Sequence, residues 1–119
     1  MKICVTSQGP DLASQVDPRF GRAAFLIIYD EDEQTFEVVD NSENKQASGG
    51  AGIQAATTVA EMECDWVVSG HMGPKALSVL KDAQVSTATG ASGKVNDALR
   101  AFREGELEEV EEADVSPHW

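Results

Sequence analysis

Two strand–loop–helix units follow one another in the second half of the chain and constrain the fold more than any other feature. The first runs from residue 65 to 83 and the second from residue 85 to 103. Each begins with a short apolar run, continues through a Gly-containing loop and ends with apolar residues at helical spacing. Consecutive units of this kind place parallel strands in one sheet, joined by right-handed crossovers.

The first half of the chain supplies three more strands and one helix. A β-branched run opens the chain, and two further runs are separated by an acidic turn of hairpin length. The fold class predicted is α/β, a three-layer α/β/α sandwich with a mixed five-stranded sheet. The predicted strands cover residues 2–7, 23–29, 35–39, 65–69 and 85–89, and the predicted helices cover 51–63, 75–83 and 94–103.

Length and composition fit one domain. The chain has 119 residues, of which 41% are hydrophobic and 25% charged, as in ordinary globular domains. We predict a domain over residues 1–104 and an acidic, mobile and solvated tail over 105–119. No apolar stretch has the length of a membrane span and the first residues do not resemble a signal peptide, so we expect a cytoplasmic protein.

The formal net charge of −12 argues against two classes of partner. Such a field repels phosphate backbones and anionic lipid headgroups, so we expect neither a nucleic acid nor a membrane as a partner. Seven acids and no base lie in residues 104–119, which leaves a charge of −5 for the other residues. A site elsewhere in the chain can therefore be locally positive.

Glycines open the first predicted helix. Gly50 and Gly52 fit the spacing of a dinucleotide-binding motif, but a nine-residue loop separates them from the preceding strand and no acid follows about 20 residues on. NAD binding is therefore not predicted. The glycines either serve the turn or let backbone N–H groups approach an anion at the helix start.

The loop after the fourth predicted strand carries the best ligand candidate. His71 and Met72 follow the carboxyl end of a parallel strand, which is the edge where open α/β sheets bind ligands. A neutral imidazole binds Fe or Cu and a thioether suits Cu(I), so His71 is the predicted metal ligand. The alternative is an exposed loop histidine beside a methionine that packs.

The two cysteines form neither a disulfide framework nor a CxxC site, because they lie 60 positions apart. Cys4 is predicted to be a small buried residue of the first strand. Cys64 lies between Glu63 and Asp65, which disfavour a reactive thiolate. Both are expected to be reduced and structural.

No common catalytic signature is present. The sequence holds no GKS or GKT phosphate loop, HExxH or GxSxG motif. His71 would lack a second catalytic group for acid–base chemistry. We therefore expect that the chain is not an enzyme.

With these motifs placed, residues 1–105 resemble the dinitrogenase iron-molybdenum cofactor biosynthesis family. The resemblance rests on DPRFGR at 17–22, GGAGIQAA at 49–56 and SGHMGPKA at 69–76. It implies a ribonuclease H-like fold without nuclease activity and a role in binding or moving metal–sulfur clusters in an anaerobe. A free-standing chain of this length is most similar to members that hold a molybdenum–copper sulfide cluster non-covalently. An iron–molybdenum type cluster is the alternative cargo.

The resemblance and the residue types together predict a cluster-binding site. Cations such as Lys45 beside the three motifs would neutralise an anionic cluster, and the two helix starts would add N–H groups. Phe20 and Met72 would supply apolar contact. We predict that the loops gather at one sheet edge and that the site consists of Arg19, Phe20, Arg22, Gly50, Gly52, His71, Met72 and Lys75.

A second class of function stays open at this stage. The acidic tail would suit a protein-interaction or regulatory domain that docks a basic partner and binds no cluster. A cluster carrier also needs protein partners, since it must deliver its cargo.

Overall fold

The computed structural model describes residues 1–42 and 50–111, which build one sheet with helices on both faces. The strands are β1 (Lys2–Ser7), β2 (Phe25–Asp30), β3 (Thr35–Asp40), β4 (Trp66–Val68), β5 (Ser86–Thr89) and β6 (Glu108–Glu109). The helices are α1 (Ala51–Glu61), α2 (Pro74–Asp82) and α3 (Val95–Arg103). The strand order across the sheet is β3-β2-β1-β4-β5-β6.

The strand directions follow the two predicted units and the predicted hairpin. β1, β4 and β5 are parallel neighbours, and β2 pairs antiparallel with both β1 and β3. The three-layer α/β/α class is confirmed. The prediction of five strands is wrong by one, because β6 adds an antiparallel strand at the edge beside β5.

The sixth strand lies in the segment that the sequence analysis assigned to a solvated tail. Glu108 and Glu109 pair with β5, and the Val110 N–H donates to the Thr87 carbonyl oxygen at 2.9 Å. Leu107 and Val110 pack against the cores on opposite faces of the sheet. Residues 104–111 are therefore part of the fold, held by two apolar residues among the acids. Residues 112–119 lie outside the described residues.

Each face of the sheet has its own core because successive strand residues point to opposite sides. Cys4, Leu26 and Val67 face α1 and α2, whereas Ile27 and Val68 face α3. These five residues are fully buried. No helix in residues 1–42 and 50–111 has the length and apolar character needed to cross a membrane.

Small residues let α1 and α2 pack closely. α1 buries Ala51, Ala55, Ala56 and Val59. A Cβ on Gly52 would lie 3.2 Å from the Ala76 Cβ of α2. Ile53 of α1 points outward, and its side chain is 39% exposed. The buried stripe follows the alanines because they allow the close approach of the two helices.

Replacement by valine is expected to change the free energy of unfolding differently at two buried threonines of the sheet. Thr6 Oγ1 donates to the Asp17 carbonyl oxygen at 2.7 Å and shares a hydrogen bond with Ser69 Oγ at 3.0 Å. Thr87 Oγ1 is buried with no partner among the described residues. Thr6→Val should lower the free energy of unfolding by about 1–3 kcal/mol, whereas Thr87→Val should be neutral or raise it by about 1 kcal/mol. Urea unfolding measures both, and equal losses would contradict this assignment.

Candidate functional site

Three loops meet at the edge of the sheet where the parallel strands end. We call them the arginine loop (residues 17–22), the glycine loop (residues 50–52, the start of α1) and the histidine loop (residues 70–75). The arginine loop lies between the other two and contacts both. The predicted site residues that the structure describes all belong to these loops, whereas Lys45 lies outside the described residues.

A short parallel bridge joins the arginine and histidine loops. Arg19 pairs with His71, and the His71 N–H donates to the Pro18 carbonyl oxygen at 2.8 Å. The approach is so close that a Cβ on Gly70 would lie 2.8 Å from the Pro18 Cα. Glycine at position 70 therefore permits this contact between two segments that are remote in sequence.

The bridge also decides which side chains face solvent. Paired residues in a parallel bridge direct their side chains to the same side, and the next residue of each segment points to the other. Arg19 and His71 are accordingly exposed, while Phe20 and Met72 are 2% and 0% exposed.

This placement changes the expected role of Phe20 and Met72. We predicted that they would supply apolar contact to a ligand, but both belong to the core that faces α1 and α2. They lie beneath the loops as anchors and do not form an accessible wall. Successive side chains of an extended segment point to opposite sides, so Phe20 and Met72 point inward because Arg19 and His71 point outward.

The arginine loop packs backbone to backbone against the glycine loop. A Cβ on Gly21 would lie 2.6 Å from both the Cα and the N of Gly52. Asn41 Nδ2 supports this contact by donating to the carbonyl oxygens of Gly21 at 3.3 Å and Ala23 at 2.8 Å. Gly50 precedes the helix with φ +73°, a left-handed conformation that favours glycine.

Asp17 shapes the arginine loop through its side chain and its backbone. Its Oδ1 accepts a hydrogen bond from the Arg19 N–H at 3.1 Å. Its own N–H donates to the Thr6 carbonyl oxygen at 3.0 Å, and its carbonyl oxygen accepts from Thr6 Oγ1 at 2.7 Å. An Asp that accepts from the N–H two residues on forms an Asx turn, and Asp17-Pro18 is a sequence pattern that signals one. Thr6 also contacts Ser69, so the strand ends hold the arginine loop in place.

The exposed part of this edge presents cations and helix starts. Arg19 and His71 are exposed side by side, Arg22 is half-buried, and Lys75 is exposed in the first turn of α2. No side chain of the described residues caps α1 or α2 at its N-terminus. Leading N–H groups of a helix carry partial positive charge and attract anions. Asp17 is the single carboxylate of the three loops, so Arg19, Arg22 and Lys75 together with the helix dipoles leave the edge with a positive balance.

Neither cysteine belongs to this edge as a reactive thiolate. Burial raises the pKa of the Cys4 thiol well above its ordinary value, and burial raises the pKa of Cys64 to about 11. Both are free and buried. Within residues 1–42 and 50–111, no group of three or more His, Cys, Asp or Glu residues is placed to hold a metal ion.

The thiol of Cys64 is expected to make folding stability depend on alkaline pH. The raised pKa means that the folded state favours the neutral thiol, so stability is unaffected below the ordinary pKa of 9.0 and falls as pH rises toward about 11. Lys and Tyr also titrate in this range, so the difference between wild type and Cys64→Ala isolates the thiol. Urea unfolding at pH 8 to 11 should show a smaller loss for Cys64→Ala, and identical pH profiles would contradict the assignment.

These features define a class of protein, a small three-layer α/β/α domain with a positively charged loop site at the carboxyl edge of its parallel strands. The chain belongs to the dinitrogenase iron-molybdenum cofactor family, whose model matches residues 1–105. The resemblance noted from the three motifs is thus confirmed.

Solved structures and one sequence relative agree with this membership. The apo form of the orange protein from Desulfovibrio gigas is 35% identical in sequence to this chain, with a TM-score of 0.92. The match covers 96% of this chain and 96% of the orange protein chain. A NifB-like protein from Thermotoga is 33% identical with a TM-score of 0.81, covering 91% of each chain. An uncharacterized protein from Methanocaldococcus jannaschii is 26% identical over 100 residues, which are 82% of this chain and 85% of its own.

Proposed function

We propose that this chain binds a metal–sulfur cluster non-covalently at the three-loop edge and carries it as a cofactor chaperone. Family membership and the likeness to the orange protein support an association with metal-cluster cofactors, either in binding or in biosynthesis. The observation that carries the proposal is the bridge that sets Arg19 and His71 side by side and exposed.

The chemistry of this edge suits an anionic cluster that brings its own sulfide. Such a cluster already has sulfur around its metals, so the protein needs to supply cations and N–H donors and need not supply thiolates. Arg19, Arg22 and Lys75 would neutralise the cluster charge, and the helix starts at Gly52 and Pro74 would add N–H groups. His71 is the residue that would contact a metal directly, since a neutral imidazole binds Cu or Fe.

A molybdenum–copper sulfide cluster is the cargo we favour, with an iron–molybdenum type cluster as the alternative. The preference rests on the resemblance of this chain to family members that hold such a cluster. We take the chain to be a carrier and not an enzyme, because its proposed cargo leaves unchanged for a recipient protein.

The test is anaerobic titration of the protein with tetrathiomolybdate and Cu(I), followed by visible absorption. Saturation at a fixed stoichiometry, with sulfide-to-metal charge-transfer bands that persist through gel filtration, would support the proposal. Loss of all metal on gel filtration would contradict non-covalent carriage at this site. A parallel titration with tetrathiomolybdate and Fe(II) tests the alternative cargo, a cluster of iron–molybdenum type.

Truncation of the acidic C-terminal segment distinguishes between two proposed functions, a cluster carrier and a docking domain. Because Leu107 and Val110 pack in the fold, the informative deletion is 112–119, and deletion of 104–119 would also remove β6. We expect the 112–119 deletion to keep cluster binding within about twofold, since the three loops are untouched, whereas the 104–119 deletion should lower thermal stability. Loss of cluster binding in the shorter deletion would assign the segment a role in the site.

A further inference from the structure

β3 lies at one end of the strand order and forms an edge of the sheet. β3 pairs with β2 on one side, and no other strand of the described residues pairs with it on the other. The Glu31 N–H donates to the Met1 carbonyl oxygen, so the odd-numbered residues of β2 bond to β1 and the even-numbered ones bond to β3. The Asn41 N–H, which donates to the Ala24 carbonyl oxygen, continues this alternation.

The alternation fixes which groups of β3 face outward. In the register of β2 with β3, even residues of β2 oppose odd residues of β3, so Thr35, Glu37 and Val39 exchange bonds with β2. Phe36 and Val38 therefore direct their N–H and carbonyl groups away from the sheet.

The side chains of β3 give this edge a distinct chemistry on each face. Phe36 and Val38 are 40% and 39% exposed and lie on the face that α3 covers at β1 and β4. Glu37 is exposed on the opposite face, next to half-buried Val39. The acidic turn of residues 30–33 adjoins the strand.

We propose that the edge of β3 docks an extended segment of a partner protein in which apolar residues alternate with Lys or Arg. The docked strand would bond to the outward N–H and carbonyl groups of Phe36 and Val38, a recognised mode of peptide binding. Its apolar residues would cover the exposed Phe36 and Val38 side chains. Its basic residues would meet Glu37 and, at the turn, Glu33, since Glu31 and Asp32 already pair with Arg103 and the N-terminal amine.

Charge complementarity selects this occupant over a second copy of the chain. Two copies paired antiparallel through β3, with Phe36 of each opposite Val38 of the other, would set the two Glu37 side chains directly opposite each other in a protein of net charge −12. A docked strand that carries Lys or Arg opposite these carboxylates would replace the repulsion by attraction. The inference does not depend on the proposed cluster, because β3 contributes no residue to the three-loop site.

The backbone part of the proposal is tested by Val38→Pro, with Val38→Thr as its matched control. Proline at 38 removes an outward N–H and leaves the β2 ladder intact, which is the arrangement in which edge strands tolerate proline. The probe is a peptide of about six residues in which Lys and Val alternate, the length of an ordinary strand. Calorimetry or fluorescence should show binding about tenfold weaker for Val38→Pro and within about threefold of wild type for Val38→Thr.

The charge part is tested by Glu37→Lys with two peptides, one alternating Lys and Val and one alternating Glu and Val. Wild type should prefer the Lys peptide, and Glu37→Lys should lose or reverse that preference. A misfolded variant would bind neither peptide, so a reversed preference between the two peptides cannot result from misfolding. Circular dichroism checks that each variant is folded.

Three results would overturn the inference. The first is no measurable binding of the Lys and Val peptide to the folded wild type. The second is equal binding by Val38→Pro and Val38→Thr. The third is a wild-type dimer in sedimentation that Val38→Pro converts to a monomer, since the edge would then serve a second copy.

Discussion

Replacing Arg19 and Arg22 together by alanine is expected to raise the dissociation constant for the cluster by at least about 100-fold. A charge-assisted hydrogen bond is worth about 1.5–3 kcal/mol, and the variant loses two of its candidate donors. Arg19 is exposed beside His71 and Arg22 is half-buried in the same loop. The tetrathiomolybdate and Cu(I) titration measures the change.

The matched control is the replacement of Arg100 and Arg103 by alanine. It removes the same two charges from α3, where the arginines pair with Asp97 and Glu31. The net charge of the two variants is identical, so a difference in cluster affinity reports where the removed charges lie. Urea unfolding checks that loss of the α3 ion pairs has not unfolded the control. Equal cluster affinity in both variants would contradict the assignment of the arginine loop. A double Arg→Lys variant, which keeps the charge but loses the forked guanidinium, should bind with intermediate affinity.

Gly21→Ala is expected to separate the arginine loop from α1 and so to damage both stability and cluster binding. The new Cβ would lie 2.6 Å from backbone atoms of Gly52, which cannot rotate away as a side chain could. Overpacking of this kind costs about 1–3 kcal/mol. Since the loop can relieve it only by moving, cluster affinity should fall together with the melting temperature.

Gly105→Ala is the control for this prediction. Its added Cβ meets nothing within 4 Å, and the change carries only the backbone strain of φ +72°. That variant should lose about 1–2 kcal/mol of folding stability and keep wild-type cluster affinity. If Gly21→Ala bound the cluster as tightly as Gly105→Ala, close packing of the arginine and glycine loops would not matter for the site.

The regular part of the fold follows from local pattern because periodicity and burial agree there. The strand at 65–69 and the helix at 75–83 were expected within one or two residues of β4 and α2. β6 was missed since Glu108 and Glu109 have neither strand propensity nor alternation, and their place depends on β5. Apolar spacing alone does not place Ile53 either, because the close packing of α1 on α2 buries the alanine stripe and leaves Ile53 exposed.

The site was only partly predictable for a similar reason. Glycines, cations and a histidine mark the three loops in the sequence, and the parallel strands indicate the edge at which such loops gather. The outward direction of His71 and the inward direction of Met72 come from a bridge to a segment about 50 residues away. Local patterns carry no information about that pairing, so Phe20 was assigned incorrectly as an accessible contact. For Met72, the alternative of a methionine that packs beside an exposed histidine is the one that the structure shows.

The most direct test of the proposed function is anaerobic purification of the chain from a sulfide-rich native host. Visible absorption and elemental analysis for Mo, Cu and Fe would follow without added metal. The proposal predicts stoichiometric metal with sulfide-to-metal charge-transfer bands, and Mo with Cu as the metals. A colourless, metal-free protein from cells that make such clusters would contradict it and favour a docking domain.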